Sequence, residues 1–229
     1  MKKKNITIIL LILAILITGC EIKENTHSKK DTYEKGDSEN QILNATVNIN
    51  TDTGDFGAGL VYNGVYIITN YHVVYNAKEI KVVSYSKDEY KASLIGYNNE
   101  NDIAVLKIDK KLDSMILGNS DIVEIGSTIT AIGNPNGDLT FSKAEGKVLD
   151  VPQELLDKID KERKYIWYDG NAISGYSGGP VYNKEGKIIG ILNVIYVGEL
   201  SKYDFDNLCG IIPINIAKQN IDKIINDNK

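Results

Sequence analysis

Gly175-Tyr176-Ser177-Gly178-Gly179-Pro180 is followed at once by a strand-like run from Val181 to Tyr196. A serine flanked by glycines sits where the backbone can turn sharply and lift a hydroxyl into a pocket, because glycine accepts dihedrals that a side chain forbids. The same turn aims backbone amides. Those of Gly175 and Ser177 are placed to converge on one point, as a carbonyl oxygen turning into an oxyanion requires. An ordinary Gly-Ser turn between two strands fits the same letters, so the stretch gains meaning only if a base and an orienting carboxylate lie upstream.

Working outward, the base is nearly forced by composition. The chain has two histidines, and His27 lies in a polar, charged segment near the N-terminus. His72 remains, in Ile67-Ile68-Thr69-Asn70-Tyr71-His72-Val73-Val74, where a strand-like run gives way to a short helical turn. Asp102 opens Asp102-Ile103-Ala104-Val105-Leu106-Lys107-Ile108, an acid at the mouth of an apolar strand. Each has a plain reading, as a half-buried histidine and as a turn acid after Asn98, Asn99 and Asn101. Together they supply a base for Ser177 and a carboxylate that fixes its tautomer. The order His, Asp, Ser is that of chymotrypsin-type enzymes, whereas esterase folds run Ser, Asp, His with the serine between strand and helix.

Around these residues the pattern is of short apolar runs broken by Gly, Asn and Asp. They fall at Val47 to Ile49, Leu60 to Tyr62, Val65 to Ile68, Ile80 to Tyr85, Leu94 to Tyr97, Ile103 to Ile108, Thr128 to Ile132, Gly146 to Leu149, Gly179 to Tyr182, Lys187 to Val197 and Gly210 to Ile212. Many short strands at this spacing predict an all-β sandwich or barrel. Two stretches have helical spacing: Pro152 to Arg163, with Leu155, Leu156 and Ile159 on one face, and Ile214 to Ile225, with Ile214, Ala217, Ile221 and Ile225.

The segments Gly57 to Leu60, Thr69 to Val74, Asn101 to Ile108, Leu117 to Asp121, Ala131 to Asn136 and Gly175 to Val181 resemble the trypsin-like serine protease domain of the HtrA (Deg) family. Glutamyl endopeptidases of the V8 type are a second likeness, through Thr69-Asn70-Tyr71-His72-Val73-Val74 and Tyr168-Asp169. The resemblance covers the chain from about Ile42 onward. It implies two six-stranded barrels with a cleft between them, His72 and Asp102 on the first and Ser177 on the second. It also implies peptide or protein substrates, a Ser177 nucleophile, a His72 base, an orienting Asp102 and an oxyanion hole from Gly175 and Ser177. Tyr176 departs from the pattern, standing where HtrA proteins usually carry Asn and zymogen-activated trypsins carry Asp. By the same likeness Asn171 lies at the base of the specificity pocket and Asn193 beside it. An uncharged Asn171 disfavours Lys or Arg before the cut, and no histidine is left to bind a glutamate, so small or medium apolar side chains are expected. A surface-tethered binding module on a protease fold, without turnover, is the alternative from another class.

The N-terminus reads differently. Lys2, Lys3 and Lys4 precede an apolar run from Ile6 to Ile17, closed by Ile17-Thr18-Gly19-Cys20. The run is too short to span a membrane and fits a secretory signal, and its end resembles the bacterial lipobox. Residues 1–19 are then a lipoprotein signal peptide, Cys20 the lipid-anchored residue on the outer face of the cell membrane, and 20–40 a polar, disordered tether. Removing residues 1–19 takes away three lysines and no acids, moving the net charge from −5 to −8. An acidic surface argues against nucleic acid as a partner. With Cys20 lipidated, Cys209 has no disulfide partner, and it reads as a packing residue. No metal-ligand cluster is visible and the chemistry calls for no cofactor. Residues 41–229 form the expected protease domain, for which oligomers are possible.

Overall fold

In β1 (Thr46–Thr51) the side chains alternate: Val47 and Ile49 are buried inside a barrel, and Asn48 between them is buried elsewhere, its amide donating to the Thr140 carbonyl at 3.2 Å. That period of two is what the geometry of a strand dictates. The computed structural model describes residues 35–152, 164–200 and 205–228. β1, β2 (Phe56–Tyr62), β3 (Tyr66–Thr69), β4 (Ile80–Ser84), β5 (Glu89–Asn98) and β6 (Ile103–Lys107) close an antiparallel barrel in the order β1-β2-β3-β6-β5-β4. β7 (Thr128–Gly133), β8 (Ser142–Asp150), β9 (Ile166–Tyr168), β10 (Pro180–Asn183), β11 (Ile188–Leu200) and β12 (Phe205–Pro213) close a second, in the order β10-β11-β12-β9-β8-β7. These are the two six-stranded barrels expected. In each closed ring every strand has a neighbour on both sides.

Only β9 has no counterpart among the apolar runs. Tyr165, Ile166, Trp167 and Tyr168 are all buried, so the short strand shows no alternation to read. α1 (Lys35–Asn44) begins within the segment 20–40 expected as tether, and carries Ile42 and Leu43 onto Ile132. The expected signal peptide, Cys20, His27 and the start of the expected tether lie outside the described residues. So does the helix expected over Pro152 to Arg163, apart from its first residue.

Each barrel has its own core, around Val47, Ile49, Val82 and Leu106 in the first and Ile129, Val148, Ile166 and Ile189 in the second. A third cluster joins them. It combines Leu60, Ile68 and Val105 with Trp167, Ile191 and Leu208, and is covered by α3 (Ile214–Asp227) through Ile214, Ala217, Ile221, Ile224 and Ile225. The Tyr62 hydroxyl, on the first barrel, donates to Asp222 of α3 at 2.7 Å, so a helix that follows the second barrel's last strand is tied to the first. Removing one of its buried side chains should loosen both barrels. Ile221→Ala is expected to destabilise the domain by about 2–5 kcal/mol, read as a lower urea midpoint at unchanged slope.

Candidate active site

His72 lies on a single helical turn, α2 (Tyr71–Val74), that follows β3 directly. Val73 and Val74 are buried, so the turn is pinned to the first barrel and the imidazole, about half exposed, is left facing outward. Tyr71 stacks on Tyr97 of β5 with ring centroids 3.9 Å apart and meets Tyr75 edge-on at 5.5 Å, which fixes the turn from its other side.

Asp102 precedes β6 at φ 51°, a left-handed conformation that Asp tolerates better than most residues. The turn is built locally, the Asn101 amide donating to the Asn98 side chain at 2.7 Å. It is clamped from α2, because the Asp102 carbonyl accepts from the Tyr71 amide at 3.2 Å and the Asn70 side chain at 3.0 Å. Asp102 is 8% exposed, and its carboxylate meets His72 twice: Oδ2 lies 2.6 Å from Nδ1, and Oδ1 accepts from the His72 backbone amide at 2.9 Å. A carboxylate on Nδ1 holds the proton there and leaves Nε2 as the basic nitrogen. Burial by itself raises the Asp102 pKa. The His72 side chain and amide and the Asn193 side chain outweigh it, so the carboxyl stays below its ordinary 3.8.

Ser177 comes from the second barrel. Its carbonyl accepts from the Ala58 amide of β2 at 2.9 Å, so the serine loop lies directly on the first barrel. That approach demands the glycines. A Cβ on Gly57 would stand 2.8 Å from the Ser177 carbonyl, and one on Gly178, at φ 82°, would stand 2.1 Å from the Thr69 hydroxyl and 2.3 Å from the Ala58 carbonyl. The Ser177 hydroxyl is half-buried and donates to the Asn193 carbonyl at 3.5 Å.

The two amides are aimed by their own peptide units. A trans peptide points its N–H opposite to its carbonyl. The Ser174 carbonyl accepts from the Asn136 amide at 3.2 Å, so the Gly175 N–H faces away from that turn. The Tyr176 carbonyl accepts from Gly179 at 3.0 Å, so the Ser177 N–H is turned out likewise. Among the described residues neither N–H has a hydrogen-bond partner. Gly175 itself stands at φ 101° with a would-be Cβ only 2.0 Å from the Asn134 carbonyl, which excludes any other residue.

His72, Asp102, Ser177 and Gly175 thus converge where the barrels meet, and other expected residues are placed differently. Asn171 is exposed, whereas the floor of a closed pocket would be buried. Asn193 has its carboxamide nitrogen bonded to Asp102 and its oxygen to Tyr165. A lone polar residue in an apolar strand was the available signal, since a buried amide needs partners; those partners lie 91 and 28 residues away. Tyr176 is 4% exposed and packs its ring on Gly133 in the second core, away from the cleft. Burial pushes its hydroxyl above the ordinary value, against a hydrogen bond with Ser142. Cys209 is buried, its thiol donating to the Gly170 carbonyl at 3.3 Å, and burial raises its pKa, as suits a packing residue.

The family described as the trypsin-like peptidase domain matches residues 57–191, from the glycine under the serine loop to the strand beyond it. The chain belongs to that family. Among its relatives are probable periplasmic serine endoproteases, DegP-like, from Chlamydia muridarum, 35% identical over 165 residues, and Pseudomonas savastanoi pv. phaseolicola, 36% identical over 168. The match covers 72% of this chain in both cases, and 32% and 34% of those proteins. A Serine protease HtrA-like from Staphylococcus aureus is 29% identical over 187 residues, 76% of this chain and 23% of that protein. The chain therefore spans about a third or less of the length of these relatives. A solved structure of a variant of the HtrA-type protease AlgW with a tripeptide superposes with TM-score 0.74 at 27% identity, covering 84% of this chain and 64% of that one.

The electrostatics of Asp102 carry a pH signature. Its folded pKa lies below 3.8, so the stabilisation it contributes is complete above 3.8 and is lost as pH falls through the lower folded value. Acid unfolding followed by tryptophan fluorescence should show that loss in the wild type. Asp102→Asn should lack this part of the acid slope.

Proposed function

We propose that the chain is a membrane-tethered, extracytoplasmic serine endopeptidase. In this reading Ser177 attacks the scissile carbonyl and His72 Nε2 takes its proton. Asp102 holds the imidazole and stabilises the imidazolium, and the Gly175 and Ser177 amides receive the oxyanion. His72 then returns the proton to the leaving amine, and the acyl-enzyme yields to water deprotonated by the same nitrogen. The observation that carries the reading is the 2.6 Å contact between His72 Nδ1 and a buried Asp102 carboxylate. The serine hydroxyl is bonded to the Asn193 carbonyl at 3.5 Å. Such loose geometry is ordinary for a site without substrate.

The extracytoplasmic placement follows from Lys2 to Lys4, the apolar run and Ile17-Thr18-Gly19-Cys20, with lipid on Cys20. Residues between Cys20 and α1 then act as a spacer. The same Ser177 bond, made to the Asn193 carbonyl and not to His72, favours the second reading, a silent binding module.

One experiment separates the two. The domain from Glu21 onward is treated with a fluorophosphonate probe beside Ser177→Ala and His72→Ala. Labelling of the wild type alone, with peptide turnover down by about 10⁴–10⁶-fold in either variant, supports the endopeptidase. A folded wild type that stays unlabelled supports the binding module. For the anchor, Cys20→Ala in the full chain should move the protein from the detergent phase to the aqueous phase on phase separation, and unchanged partitioning would exclude lipidation at that residue.

A further inference from the structure

Asp102 has a partner on the second barrel. Its Oδ2, already 2.6 Å from His72 Nδ1, accepts a second hydrogen bond from Asn193 Nδ2 at 2.7 Å. Asn193 is delivered by an irregularity in the sheet. The pairing of β11 with β12 shifts register between Leu192 and Val194, and a bulged residue is re-aimed out of the ladder. Its two polar ends therefore reach two different members of the site, the side chain touching Asp102 and the carbonyl accepting from Ser177.

A carboxamide has nearly the same shape either way round, and only its neighbours choose between the orientations. Here the far end is held by Tyr165, whose hydroxyl donates to Asn193 Oδ1. Tyr165 is fully buried, and its ring is fixed edge-on against Trp167 with centroids 5.1 Å apart. Without that hydroxyl, Oδ1 becomes a buried acceptor lacking a donor, and the carboxamide is drawn toward whatever donor it can reach. Asp102 then loses the Asn193 bond or meets an oxygen in its place.

We propose that Tyr165 is a positioning residue for catalysis, fixing the Asn193 carboxamide in the orientation that donates to Asp102. The proposal rests on the endopeptidase reading above. Through this relay the second barrel, which carries the nucleophile, also sets the carboxylate that orients the base on the first.

Tyr165→Phe tests it with the ring and its packing retained. On a chromogenic peptide ester the variant should lose about tenfold in kcat with KM unchanged, the size of effect expected for one buried hydrogen bond acting in the transition state. Because Tyr165 acts through Asn193, adding Tyr165→Phe to Asn193→Ala should produce no further loss, and Asn193→Thr, which brings its own hydroxyl to Asp102, should be insensitive to Tyr165→Phe. Additive losses, or a rise in KM at unchanged kcat, would overturn the relay. The low-field proton resonance of His72 Nδ1–H reads the same coupling without turnover. It should shift in Tyr165→Phe, and an unmoved resonance in the folded variant counts against the proposal. Absence of fluorophosphonate labelling in the wild type instead defeats the endopeptidase reading, while the resonance still reports on the relay.

Discussion

A carboxylate withdrawn from water has to be surrounded by donors, and Asp102 obtains them from both barrels. Two come from α2, as the His72 amide and ring nitrogen, and one from β11, as the Asn193 side chain. Losing a donor would leave a buried charge undercompensated, which is among the more destabilising changes a protein can suffer. The requirement therefore fixes three elements at once. The Asn98 to Asp102 turn accepts a left-handed residue, Asn70 and Tyr71 clamp its carbonyl, and the second barrel bulges to bring Asn193 across.

The serine loop is held by a different physics, that of close backbone approach. Gly57, Gly175, Gly178 and Gly179 all stand where a Cβ would strike a backbone atom of a neighbouring segment, and Gly175 and Gly178 have positive φ as well. The hydrogen bond from Ala58 to the Ser177 carbonyl then joins the loop to the barrel bearing His72. Carbonyls anchored at Asn136 and Gly179 hold the Gly175 and Ser177 amides outward, as the proposed oxyanion hole needs. Preorganised donors of this kind need no rearrangement at the moment charge develops.

Tyr176 gives the loop a third support. A residue between the two outward amides is a natural place for a charged or amide anchor, yet here a buried phenol ring lies on Gly133. The anchor is apolar packing, so it asks for no partner from a newly freed N-terminus. Gly133 and Tyr176 are matched in volume, because the glycine supplies the space that the ring fills.

Much of this was legible in the chain itself. Local chemistry is written in consecutive residues: the period of two in β1, the glycines around Ser177, and a single candidate base at His72. α3 showed in its apolar spacing, and the order His, Asp, Ser carried the family likeness. β9 was hidden because a strand buried on both faces has no alternation, and the role of Asn193 because its partners stand 91 and 28 residues away. By itself the sequence determined an all-β chain and singled out Ser177, His72 and Asp102 as candidates for nucleophile, base and acid, since each depends on residue type and short-range spacing. The tertiary structure decided which groups hold them: Asn193 and Tyr165 at Asp102, Tyr176 on Gly133, and Asn171 exposed to solvent. Those choices depend on which segments closure of two barrels brings into contact, and contact across a closed sheet leaves no local mark.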